Sequence, residues 1–156
     1  MEFRWEDGAL RRDGDVVART EPGFWGREAA FEVDGVRWTL RTDRDALVAA
    51  GEDGGSLRLD DRRLWPARRS LATALGELDL VQTTSLFGAL CFDLEHDGER
   101  IGRIAPHGPW RYRPGLDADR PLDAALVAFL LWAASRIDGR RITRIPTGGG
   151  MSAQGG

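Results

Sequence analysis

The chain has one cysteine, no lysine and no asparagine in 156 residues. A lone Cys91 excludes an internal disulfide and fits a reducing compartment, so a cytoplasmic location is expected. The N-terminus offers no basic stretch followed by an apolar run, because residues 1–7 (MEFRWED) are already charged; a cleaved secretory signal is therefore not expected. All 22 basic residues are arginine. Lysine and asparagine have AT-rich codons, so a GC-rich coding sequence accounts for the bias, and it lowers the weight of any arginine cluster. A net charge of −3 supplies no electrostatic footprint for nucleic acid.

Catalytic and metal motifs are missing as well. His96 and His107 are the only histidines, and their spacing, with Asp93, Glu95, Asp97 and Glu99 nearby, matches no recognised ligand pattern. Cys91 would share a strand face with Asp93 and Glu95, whose charges disfavour a thiolate. There is no Gly-x-Ser-x-Gly, His-Glu-x-x-His or Cys-x-x-Cys, and Gly148-Gly149-Gly150 lacks the Gly-Lys-Ser/Thr ending of a phosphate loop. The expectation is a protein without metal, without cofactor and without enzymatic chemistry.

Long hydrophobic runs are absent but for one, Leu122 to Ile137 (LDAALVAFLLWAASRI). From Ala124 to Ala134 no side chain is charged or hydrogen-bonds except through the Trp132 indole. Three turns of such a helix are apolar on every face and must be enclosed by protein or lipid. At roughly 1.5 Å per residue they span about 16 Å, short of a bilayer core of roughly 30 Å. A helix over about 121–138, wrapped by a sheet, is the expectation. Pro121 suits its first position, Asp123 its first turn, Arg136 its last turn, and Gly139 the left-handed cap beyond.

The preceding residues read as short strands joined by tight turns. Asp-Gly, which tolerates the two positive φ angles of a type I′ hairpin, occurs six times, at residues 7, 13, 34, 53, 97 and 138. The clearest hairpin pairs Val33 with Val36, Glu32 with Arg37, Phe31 with Trp38 and Glu28 with Arg41 about Asp34-Gly35. A second spans Gly88 to Ile104 about Asp97-Gly98, where an unbroken register would set Phe92 against Arg103; a bulge or slip near Gly102 is expected. Further strands are expected at Glu2 to Trp5, Ala9 to Arg12, Asp15 to Arg19, Leu47 to Ala50, Ser56 to Asp60, Asp79 to Thr84 and Trp110 to Arg113, with a short helical turn possible at Ala72 to Leu78. Together these describe one domain over 1–145, mainly β, an antiparallel hairpin-built barrel that is closed or partly open around the helix. Residues 146–156 have almost nothing to bury and are expected to be disordered.

Three stretches carry a resemblance: the hairpin FGALCFDLEHDGERIGRIAP, the closing strand PWRYRPGLDADRPLD, and the apolar helix AALVAFLLWAASRI placed almost last. In these the chain resembles small bacterial proteins of the tubby C-terminal-domain-like superfamily, which includes LURP-one-related proteins and phospholipid scramblases. The resemblance implies a β-barrel around a hydrophobic helix and favours, as an alternative function, a peripheral binder of anionic phospholipid; the absence of a catalytic constellation points first to a non-catalytic binding or scaffold module. Tubby-like domains bind phosphoinositides through basic residues including lysine, which this chain lacks, so no binding residue is carried over.

Two surface candidates follow from the residues themselves. Arg62, Arg63, Arg68 and Arg69 surround Trp65 and could hold phosphate while the indole lies at a headgroup boundary, which would make an anionic membrane surface a partner. The alternative is a solvated loop with Trp65 tucked inward. Phe24 and Trp25, between Pro22-Gly23 and Gly26, could form an exposed knob for a protein partner, or could pack over a barrel end. A barrel without sheet edges favours a monomer.

Overall fold

A computed structural model describes residues 1–44, 46–60, 68–86, 89–106 and 113–137. Twelve antiparallel strands close into one barrel: β1 (Glu2–Glu6), β2 (Ala9–Arg12), β3 (Asp15–Thr20), β4 (Glu28–Val33), β5 (Val36–Asp43), β6 (Ala46–Gly51), β7 (Ser56–Asp60), β8 (Arg68–Thr73), β9 (Gly76–Leu86), β10 (Ala89–His96), β11 (Glu99–Pro106) and β12 (Pro114–Ala118). Each strand pairs with its sequence neighbours, and β1 pairs with β12 to complete the circle. The barrel is therefore closed, and the partly open alternative is excluded. At the seam Glu2 faces Asp117 and Phe3 faces Leu116. Ala118 N–H donates to the Met1 carbonyl at 2.8 Å, and Arg4 Nη2 pairs with Asp117 Oδ1 at 2.9 Å.

Tight turns make room for so many strands. The aspartates of Asp7-Gly8, Asp13-Gly14, Asp34-Gly35 and Asp97-Gly98 all take positive φ, as do their glycines. Asp53-Gly54 differs, since only Gly54 is left-handed there, within a wider turn between β6 and β7; Asp138-Gly139 lies outside the described residues. The β4–β5 hairpin has the expected register, Val33 to Val36 through Glu28 to Arg41. Arg37 nevertheless forms its ion pair with Glu21, at 2.6 Å, not with its cross-strand neighbour Glu32. In the β10–β11 hairpin Leu94 faces Gly102 while Glu95 faces Arg100. The extra residue is Ile101, and the shift returns Phe92 to face Ile104, so apolar again meets apolar.

Two local expectations are corrected. Residues 72–78 form no helical turn: Ala72 and Thr73 end β8, and Gly76 to Leu78 begin β9. The twelfth strand begins at Pro114, and Arg113 precedes it; Trp110 lies outside the described residues, as do Gly139 and the glycine-rich tail.

The helix, α1, spans residues 124–137. It starts later than expected because Asp123, not Pro121, fixes the first turn. Asp123 Oδ2 accepts from Leu126 N–H at 3.3 Å, and the Asp123 carbonyl accepts from Val127 N–H at 3.0 Å, as an N-cap does. Every side chain from Val127 to Ala134 has zero exposure. These residues share one apolar core with the inward side chains of the strands, among them Phe3, Leu10, Phe31, Leu40, Leu47, Leu59, Leu71, Leu78, Phe92, Ile104 and Leu116. Fourteen helical residues span about 21 Å, the height of a strand of roughly six residues, so one short helix fills the barrel.

Strand direction gives the barrel two unlike ends. The turns at Asp13-Gly14, Asp34-Gly35 and Asp97-Gly98 share one rim with the end of β12. The opposite rim carries the longer connection over residues 21–27 and the starts of β8 and β12. The helix follows β12, so it enters at the turn rim and runs toward the loop rim. There the Trp132 indole Nε1 donates to the Gly26 carbonyl at 3.0 Å.

Candidate functional site

Among the described residues, the helix occupies the barrel interior and shares its core with the inward side chains of the strands. Among the described residues, no group of three or more His, Cys, Asp or Glu side chains is placed to hold a metal ion. Cys91 has zero exposure, although strand alternation places it on the outward face with Asp93 and Glu95. His96 Nε2 lies 3.6 Å from Asp97 Oδ2 beside the hairpin turn; His107 lies outside the described residues.

Of the arginine cluster, Arg68 and Arg69 lie among the described residues. Arg62, Arg63 and Trp65 lie outside the described residues. Arg68 reaches across the outer wall to Asp79 Oδ2 at 2.8 Å and Glu95 Oε1 at 3.2 Å. These partners, the Asp79 hydrogen bond foremost, hold its pKa above the ordinary arginine value. Arg69, one residue on, takes the inward position with Leu71 and is 6% exposed. Burial lowers its pKa, although a guanidinium stays charged across the physiological range. One of the two is thus engaged by carboxylates and the other is inside the wall.

The aromatic pair divides in a similar way. Phe24 is 4% exposed and turns into the core, so it is no knob. Trp25 is half-buried. Phe24, Trp25 and Trp5 form a three-ring cluster, with centroids 4.6 Å apart for Trp5–Phe24, 5.1 Å for Trp5–Trp25 and 5.0 Å for Phe24–Trp25. The Arg113 guanidinium lies 4.9 Å from the Trp25 ring centroid, a cation–π arrangement. The motif therefore packs over the loop rim and leaves part of the Trp25 indole and its arginine at the surface.

A second pair of arginines at this rim is not evident from the sequence. Arg27 and Arg136 stand 109 positions apart, but the Trp132–Gly26 hydrogen bond brings their neighbourhoods together. Residues 132 and 136 are one helical turn apart and share a face. Burial, and then the charge of Arg27, push the Arg136 pKa down. The Arg136 Nε is shielded from solvent and makes no hydrogen bond. Nothing short of the folded barrel would reveal the pair. The one sequence signal was the expected place of Arg136 in the last helical turn.

No family model matches the chain, and no curated protein or solved structure is similar to it. Among the described residues no helix is long and apolar enough to cross a membrane.

Proposed function

We propose that the chain is a non-catalytic, tubby-like binding module that meets its partner at the loop rim. The supporting observation is the barrel filled by its own C-terminal helix, with every side chain from Val127 to Ala134 at zero exposure. A ligand then has to be met outside the barrel. The loop rim offers the residue types that dominate binding energy, a partly exposed tryptophan and an arginine stacked on it. The same architecture supports the tubby-like resemblance. The second reading, adhesion to anionic lipid through Arg62, Arg63, Trp65, Arg68 and Arg69, has Arg68 engaged by Asp79 and Glu95 and Arg69 buried, and its other three residues lie outside the described residues.

The test compares proteins captured from lysate by three immobilised forms, each first shown to be folded by circular dichroism. These are the wild type, Trp25→Ser at the loop rim, and Val16→Ser at the opposite rim, where Val16 is 37% exposed. A partner retained by wild type and Val16→Ser, but weakened about tenfold or more by Trp25→Ser, is the expected result. Identical capture by all three forms overturns the assignment of the working surface.

A further inference from the structure

We propose that Asp97-Gly98, the turn of the β10–β11 hairpin, is a site of spontaneous aspartate isomerisation, with His96 as the acid that promotes it. The turn lies on the rim opposite Trp25, so the binding-module reading does not bear on it. An aspartyl side chain followed by glycine can close on its own backbone, because glycine has no Cβ to block the approach of its nitrogen. Five Asp-Gly dipeptides lie among the described residues, and the structure separates them. Asp13 Oδ1 accepts from the Glu2 N–H at 2.8 Å. Asp53 Oδ1 accepts from the Gly55 N–H at 2.9 Å, and the nitrogen that would attack it is engaged too, since the Gly54 N–H donates to the Gly51 carbonyl at 3.0 Å. Asp7 and Asp34 carry neither restraint among the described residues, and no described imidazole adjoins them. His96, the one histidine among the described residues, stands beside Asp97 with its Nε2 3.6 Å from Oδ2. The Asp97 side chain is 89% exposed, and a Cβ on Gly98 would meet nothing within 4 Å, so both reacting groups are open.

The step needs no partner but water. The Gly98 nitrogen attacks Cγ of the protonated Asp97 carboxyl; the N–Cγ bond forms, the Cγ–OH bond breaks, and the hydroxyl departs with the amide hydrogen as water. An imidazolium that donates to the leaving oxygen lowers this barrier. The cyclic imide then takes up water at the Asp97 backbone carbonyl, whose bond to the Gly98 nitrogen breaks, and the chain continues through the side-chain carbonyl. Asp97 sits at a φ of 53°, a left-handed conformation that aspartate tolerates without preferring it, and a hairpin tip opens locally more readily than a strand interior. The product has one more carbon in its backbone. In a two-residue loop the length sets the register, so the change strikes the pairing of His96 with Glu99 and of Glu95 with Arg100. His96 faces Glu99 on β11 and Leu78 on β9, and the β8–β9 turn approaches it through Gly76. Glu77, Asp79, Glu95, Asp97, Glu99 and Arg100 are the charged groups at and beside those positions.

Asp34-Gly35 is an internal reference, a turn of the same kind on the same rim with Val33 where the other has histidine. Folded wild type and His96→Gln are aged at about pH 6, where an imidazole is largely protonated, and at about pH 8, where it is mostly neutral. Isoaspartate at the two turns is then counted by mass spectrometry of the separated peptides. At the lower pH, wild type accumulates it at Asp97 about threefold or more faster than at Asp34, short of the roughly hundredfold of a positioned general acid because the 3.6 Å gap has to close. That ratio falls toward one at the higher pH, and in His96→Gln at either pH. The Asp34 rate corrects for the direct effect of pH on an aspartyl carboxyl and for any loosening of the fold by the substitution. Equal rates at the two turns in wild type at the lower pH overturn the proposal, as does an excess at Asp97 that His96→Gln retains or that the rise in pH leaves unchanged.

Discussion

At the scale of single residues, several glycines do different work. Those of the Asp-Gly hairpins supply positive φ, and that use is legible from the dipeptide alone. Gly51 and Gly55 instead leave room for Trp38 and for the Asp53 carboxylate, which is the nearest group to Gly51. A Cβ on Gly55 would stand 2.8 Å from Trp38 Cη2, and one on Gly51 would stand 3.0 Å from Trp38 Cε2. The indole lies parallel to Phe31, with centroids 6.1 Å apart, and cannot shift without disturbing the core. Gly55→Ala should therefore cost about 1–3 kcal/mol, as overpacking does, and a thermal melt should show it. In a Trp38→Leu background the same substitution should be close to neutral; an unchanged cost there would remove the indole as the cause. The sequence placed Trp38 opposite Phe31, but the glycines beneath it belong to another hairpin, and only folding brings them together. Arg69 was misjudged for a related reason. Its charge suggests a surface, yet the aliphatic stem of an arginine can line a wall.

At the scale of elements, Arg68 clamps three strands. Glu95 and Asp79 face each other across β10 and β9 on the outer wall, a like-charge pair that would repel. Arg68, on β8, contacts both. Exposed ion pairs contribute at most about 1 kcal/mol each, but Arg68→Ala both removes two pairs and releases the repulsion. We expect a fall in melting temperature of a few degrees in dilute buffer that shrinks in about 1 M salt. A penalty independent of salt would assign Arg68 a packing role instead. Strands with strong alternation were legible: Ala9–Arg12 and Ser56–Asp60 occur at the expected bounds, and the bulge beside Gly102 follows from the mismatch of Phe92 with Arg103. β8 was not, because Leu71 is its only large apolar inward residue. The helix start shifted because capping by Asp123 outweighed the preference of proline for a first turn.

At the scale of the whole molecule, the apolar helix was the most legible feature, since a segment greasy on every face admits few homes. Barrel closure was not legible, because it depends on two-residue turns shortening the chain and on a seam joined across 113 positions by Arg4 and Asp117. The loop-rim surface was only half visible: Trp25 could be picked out, whereas the tie of Trp132 to Gly26 is a product of the helix threading the barrel. Leu130 sits in the middle of that helix with zero exposure. Leu130→Asp would bury an unpaired carboxylate at a cost of several kcal/mol, against a total stability of roughly 5–15 kcal/mol. It should yield insoluble or unfolded protein, while the volume-conserving Leu130→Met should stay soluble and lose under about 1.5 kcal/mol. Folded Leu130→Asp, judged by circular dichroism, would mean the helix is not enclosed. The position of that helix in the chain also sets the timing of folding. A ribosome releases all twelve strands before the segment on which their inward faces close, so a nascent chain carries an unfinished core until synthesis has passed residue 137. Folding is then a late, cooperative event after the strands have emerged, and a chain stalled before the helix exposes the apolar surface that chaperones and proteases recognise.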